Sequence, residues 1–167
     1  RSTDQGEHFE KVISFQDKDV NNYCLTRIKG TNTVAMLKKA APSITELYHL
    51  NAQTGIPELA GKTLILGIGN ERANLEALKV DTLITYYMYS SKDDLFVSTN
   101  HGAKWTYIST LEKNPWGVGV FVSETNPSFM MMGEVECHRS VDGGQNWQVF
   151  NKWWEYYDDV EGALHAD

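Results

Sequence analysis

A chain of 167 residues that is 41% hydrophobic and 22% charged can bury the core of one ordinary domain and is not a disordered segment. Its net charge of −7 excludes a general nucleic-acid binder, which needs a basic face to neutralise phosphates. No uninterrupted apolar run approaches the roughly 20 residues of a membrane-spanning helix, so no membrane span is expected. Arg1 in place of an initiating Met reads as a processed or trimmed chain, with any targeting signal out of view. The two cysteines, Cys24 and Cys137, make neither a zinc pattern nor a disulfide framework and are expected as buried free thiols, with a single bridge between them as the alternative. No cofactor and no metal is expected.

The chain opens on Ser2-Thr3-Asp4-Gln5-Gly6-Glu7-His8-Phe9, an octet with Ser, Asp, Gly and an aromatic at fixed places. The carboxylate can accept hydrogen bonds from turn N–H groups, the hydroxyl adds a second local partner, and glycine supplies positive φ. Residues 10–15 read as the strand leaving this turn, and 16–22 as a polar loop. Residues 22–28 and 33–37 are strand candidates. Ala40-Ala41-Pro42-Ser43 breaks the chain before a strand at 44–50. Asn51-Ala52-Gln53-Thr54-Gly55 is a degenerate copy of the octet, lacking the Asp and the aromatic.

Leu64-Ile65-Leu66 is a short apolar run closed by Gly67 and Gly69. Residues 70–78, with Leu75 and Leu78 three apart, read as a loop with one helical turn. Residues 83–89 and 94–99 form a strong β pair. They lead into the octet Ser98-Thr99-Asn100-His101-Gly102-Ala103-Lys104-Trp105, with Asn in the Asp position. Strands at 117–123, 129–133 and 135–139 lead likewise into Ser140-Val141-Asp142-Gly143-Gly144-Gln145-Asn146-Trp147. Gly6, Gly55, Gly102 and Gly144 fall in steps of 49, 47 and 42 residues, the period of a four-stranded propeller blade. The fold class is therefore all-β.

Three octets in register identify the chain as resembling the Asp-box (BNR-repeat) β-propellers. That group includes sialidases, sortilin-type receptors, xyloglucan-cleaving glycosidases and many secreted bacterial repeat proteins. The resemblance covers nearly the whole chain as one segment, with blade turns near 2–9, 51–58, 98–105 and 140–147. It implies a box that braces the turn between the third and fourth strands of each blade. His165-Ala166-Asp167 looks like the start of a stretch that follows such boxes in secreted proteins. About three and a half blades are implied, whereas a closed ring needs ~4–8. The resemblance thus implies a secreted or cell-surface protein, with the ring completed by more of the propeller or by another chain. A competing resemblance, to a LysM peptidoglycan-binding module at 27–66, rests on Gly30-Thr31-Asn32-Thr33-Val34, Glu46-Leu47 and Leu59-Ala60-Gly61-Lys62-Thr63-Leu64. It requires helices where Pro42 and the β-branched residues favour turn and strand.

The box positions Ser2, Asp4, Gly6, Phe9, Ser98, Asn100, Gly102, Trp105, Ser140, Asp142, Gly144 and Trp147 are read as structural. A sialidase site would need an Arg-Ile-Pro motif and three arginines. This chain has only Arg1, Arg27, Arg72 and Arg139, and Arg27-Ile28-Lys29 lacks the proline. A glycosidase needs two opposed carboxylates. Asp81, Asp93, Asp94, Glu134, Glu136, Asp158, Asp159 and Glu161 are available but unpaired by sequence. Trp153, Trp154, Tyr156 and Tyr157 read either as inter-blade packing or as faces that stack on sugar rings or anchor a protein. Asp158, Asp159 and Glu161 with His165 read as a solvated acidic loop, and Met130-Met131-Met132 as strand core. The expected function is a non-catalytic scaffold recognising a protein or glycan; the alternative is part of a glycoside hydrolase.

Overall fold

The computed structural model describes residues 2, 4–11, 23–41, 43–51, 53–64, 73–90, 94–111, 119–133 and 137–151. Among them every regular element is a strand. The first four, β1 (Tyr23–Lys29), β2 (Val34–Ala41), β3 (Ile44–Leu50) and β4 (Pro57–Leu64), form an antiparallel meander. A second meander comprises β5 (Asn74–Val80), β6 (Leu83–Tyr89), β7 (Asp94–Ser98) and β8 (Thr106–Thr110). A third comprises β9 (Gly119–Val122), β10 (Met130–Gly133), β11 (Cys137–Ser140) and β12 (Gln148–Asn151). The first strands β1 and β5 run parallel and share a short ladder, Ile28 with Ala77 and Lys29 with Leu78. Four-stranded meanders that meet side by side at their first strands are β-propeller blades.

The core lies between the blades. Ile28, Ala35, Leu37 and Leu47 of the first blade pack against Leu75, Ala77, Tyr86 and Met88 of the second. Leu78, Tyr87, Tyr89 and Leu95 on the opposite face of the second blade meet Val120, Val122, Met130 and Met132 of the third. Each Ile, Leu, Val or Met among them contributes about 1.5–3 kcal/mol when fully buried. Both faces of the second blade are thus apolar.

This double burial explains why the sequence reading of 70–78 is wrong from Asn74 onward, where β5 runs. Leu75, Glu76, Ala77 and Leu78 are all buried. A strand covered on both faces loses the alternation that marks strands, and its apolar run passes for a helical turn. Residues 27–64 form β1 to β4 without a helix among those described, which overturns the LysM parse. The sequence reading sets no bounds for β4, β8 or β12, which lie outermost in their sheets; β8 is largely exposed.

The third and fourth strands of each blade share one irregularity. The register slips by one residue between Leu47 and Tyr48, between Leu95 and Phe96, and between Cys137 and His138. It sets the blades in register with one another: Leu47, Leu95 and Cys137 correspond. Tracing the ladders inward, Leu25, Leu75 and Val120 correspond as well.

The octet turns at 98–105 and 140–147 press their glycines onto the preceding blade. A side-chain carbon on Gly102 would sit 2.9 Å from Leu47 Cβ, and one on Gly144 would sit 2.6 Å from Leu95 Cδ2. Both glycines have positive φ, 78° and 86°. Gly144→Ala is therefore expected to destabilise by about 2–4 kcal/mol, from backbone strain plus overlap. Gly143→Ala, also at positive φ but facing open space, should cost only about 1 kcal/mol. Denaturant midpoints of the two variants check the difference.

Candidate functional site

The three octets make the same bonds. Ser140 Oγ accepts from the Gly144 N–H at 2.9 Å and donates to Asp142 Oδ1 at 2.7 Å, which also accepts the Asn146 N–H at 2.9 Å. Ser2 and Asp4 repeat this with Gly6 and His8, at 2.8, 2.6 and 3.0 Å. Ser98 and Asn100 repeat it with Gly102 and Lys104, at 2.9, 3.0 and 2.9 Å. Only one oxygen is needed, so Asn100 serves as well as an aspartate. The spare oxygen of Asp142 accepts from Asn146 Nδ2 at 2.7 Å, and that of Asp4 lies 2.6 Å from His8 Nδ1. The octets at 98–105 and 140–147 join β7 to β8 and β11 to β12.

The turn at residues 51–56, joining β3 to β4, is built differently. Asn51 Oδ1 accepts the Gln53 and Thr54 N–H groups, each at 3.0 Å, and the Gly55 N–H donates to Asn51 O at 2.7 Å. Counting from the corresponding third strands, Gly55 stands one place beyond Gly102 and Gly144. It is not the fourth copy of the octet glycine.

Trp105 and Trp147 face the neighbouring blade. Trp147 packs beside the second blade and donates from Nε1 to Ser109 Oγ at 3.2 Å, while Ser109 Oγ donates to Gly144 O at 2.5 Å. Trp105 packs against the first blade. There Gly61 replaces the serine, and the buried Trp105 Nε1 has no hydrogen-bond partner among the described residues. Phe9 is exposed.

Hydrogen bonds to the carboxylates lower their pKa. Asp142 falls to about 2, first through the Asn146 N–H, then through the Asn146 side chain and the Ser140 hydroxyl. Asp4 also falls to about 2, chiefly through Ser2 and His8. Because the folded value lies below the ordinary 3.8, this stabilisation is complete above pH 3.8 and is lost as the pH falls through about 2. Asp142→Asn, which copies Asn100, should retain the fold at neutral pH and reduce that acid loss, as read by thermal melts across the same range.

Two polar clusters lie at blade junctions that sequence reasoning missed. Glu76, on the buried strand β5, pairs with Lys29 of β1 and accepts from Thr26 Oγ1 at 3.3 Å. Lys29 Nζ also donates to Val122 O of β9 at 2.7 Å and lies 3.9 Å from the centre of the Phe121 ring. One ammonium thus ties the first strands of all three blades. A charge amid Leu75, Ala77 and Leu78 was the available signal, since such a group needs a partner. Lys29→Met leaves Glu76 buried and unpaired, an expected loss of about 3 kcal/mol. The double variant Lys29→Met with Glu76→Leu should recover much of it, measured by urea unfolding.

The second cluster joins His49 of β3 to Tyr86 of β6 and His101 of the second octet. His49 Nε2 lies 2.6 Å and His101 Nδ1 3.3 Å from the same Tyr86 hydroxyl. Burial raises Tyr86 to about 12, so the phenol stays protonated. Burial, then repulsion from His101, lowers His49; Glu58 acts weakly in the opposite direction.

The candidate ligand residues Trp153, Trp154, Tyr156 and Tyr157 lie outside the described residues, as do Asp93, Glu134, Glu136, Asp158, Asp159, Glu161 and His165. Asp81 sits in the β5–β6 turn and Asp94 opens β7, where it accepts from Thr110 Oγ1 at 2.5 Å. The length of β6 separates them, roughly 20 Å at strand rise, so they do not oppose each other. Arg27 donates to Thr31 O and Arg139 is exposed on β11; Arg1 and Arg72 lie outside the described residues. Asp4, Glu7 and His8 bring ligand atoms within 4.8 Å of one another on an exposed turn. Cys24 and Cys137 are free thiols, and burial raises the pKa of Cys24.

Blade topology, inter-blade cores and repeated turns define the chain as a set of β-propeller blades. No protein-family model and no curated protein matches the sequence. Among solved structures, eleven chains match. One is the GH74 enzyme of Niastella koreensis, with 16% identity and a TM-score of 0.49. The match covers 78% of this chain and 22% of that one, so this chain spans about a fifth of the enzyme's length.

Proposed function

We infer that this chain is part of a secreted or cell-surface β-propeller that acts as a scaffold for recognising a protein or glycan. The observation that carries this reading is how the buried polar groups at the blade junctions are used. Glu76, the buried carboxylate of the first strands, is neutralised by Lys29 and hydrogen-bonded by Thr26. It fastens blades together and is not held ready as a general acid or nucleophile. The aromatic run Trp153, Trp154, Tyr156 and Tyr157 supplies flat apolar faces suited to sugar rings or a protein anchor.

Further blades complete the ring, from the same protein or another chain. Leu25 supports this. Its counterparts Leu75 and Val120 are 6% and 7% exposed, each covered by the preceding blade, whereas Leu25 is 59% exposed. A leucine in that position finds its cover against another blade face.

A binding screen against soluble oligosaccharides, run beside a hydrolysis assay on a glycoside panel, tests the reading. The expected result is binding without turnover, weakened at least about tenfold by Trp153→Ala with Trp154→Ala, the loss of one to two stacking contacts. Turnover abolished by changing a single carboxylate would replace the scaffold with a glycoside hydrolase.

A further inference from the structure

The two blade junctions are built on one plan but filled with different chemistry. Where the first junction has His49, Tyr86 and His101, the ladders place Val97, Met130 and Gly143 in the second. Val97 and Met130 pack in the apolar core there. The plan therefore works without histidine or tyrosine. His101 is also held at a φ of 58°, as Gln5 is at 60° in the first octet, where the third octet has Gly143 at 74°. A side chain in that region strains the backbone, and the contact His101 makes is with Tyr86.

The hydrogen-bond arithmetic of the cluster is tight. Tyr86 is fully buried and brings one proton to two imidazoles. In the neutral state one ring accepts that proton and the other donates its N–H to the phenol oxygen. A single added proton is also accommodated, because the charged ring donates and the neutral ring accepts. A second is not. Both rings then donate, the buried phenol O–H has no acceptor, and two cations face each other with ring centres 5.7 Å apart. The groups around the cluster give little relief. Across the ladders stand Ala35 on β2, Ala77 on β5 and Ser98 on β7. Glu58 on β4, opposite His49, is the one carboxylate facing the cluster among the described residues, and it accepts from Asn51 Nδ2 at 3.1 Å.

We propose that His49, Tyr86 and His101 form a proton-operated latch that holds the second octet turn onto the first blade and releases it when both imidazoles become charged. The released element is the turn at 98–105, lifting from Leu47 and Gly61. His101 is exposed, so protons reach the cluster from solvent without prior unfolding. Burial holds His49 below the ordinary imidazole value, and the doubly charged cluster leaves the Tyr86 proton without an acceptor. The latch is therefore closed above the ordinary histidine range and weakens as the pH falls below it.

The test is amide-exchange protection in the wild-type chain at about pH 7.5 and pH 5, corrected for intrinsic rates, with residues 98–105 compared with β5. Opening of the latch should lower protection in the turn at least about tenfold, the equivalent of one pKa unit, while β5 keeps its protection. Equal loss in both segments, or loss in neither, would overturn the proposal. The variant His49→Val, Tyr86→Met and His101→Gly copies the second junction and should abolish the difference. If it folds and still shows the wild-type response, the latch is disproved; if it does not fold, the wild-type comparison decides alone.

Discussion

Everything in this chain depends on one close approach: the backbone of an octet turn laid directly on the third strand of the preceding blade. The approach has no room for a side chain at Gly102 or Gly144, and it needs positive φ there. The serine and the Asp or Asn of the octet hold that conformation with bonds that close inside the turn. The turn thus carries the bonds that hold its own shape. The leucines beneath it, Leu47 and Leu95, are almost wholly buried. Local hydrogen bonding fixes the shape, and apolar contact uses it.

The parts of this design that were legible in the sequence are those whose partners lie close in the chain. Ser140, Asp142 and Gly144 bond to one another within eight residues, so a spacing pattern captures them and their repetition reveals the blades. The degenerate turn misled because a glycine alone does not make an octet. Gly55 has positive φ, but Asn51 caps its turn by a different set of bonds. β5 was misread because burial on both faces erases alternation. Lys29 meets Glu76 and Val122, and His49 meets Tyr86 and His101, only through the stacking of blades. No local period encodes those meetings. The charge of Glu76 inside an apolar run was the one trace they left.

The two described junctions show how much freedom the plan allows. Ser109 bridges Trp147 and the Gly144 carbonyl in one. Gly61 stands in its place in the other: a side-chain carbon there would collide with His101 O, and without a hydroxyl Trp105 Nε1 has no hydrogen-bond partner among the described residues. The apolar frame is shared, and the polar inserts differ. Lys29, reaching across three first strands, makes the inner edges of the blades interdependent in a way that pairwise apolar packing does not.

The register slip repeated between third and fourth strands also bears on solubility. β4, β8 and β12 are sheet edges, with Leu59, Tyr107 and Val149 exposed along them. A flat edge carrying such residues would invite another strand to add to it. A bulge increases the local twist and breaks the even row of backbone donors and acceptors. The distortion repeated in every described blade therefore spoils the outer rim as a template for aggregation.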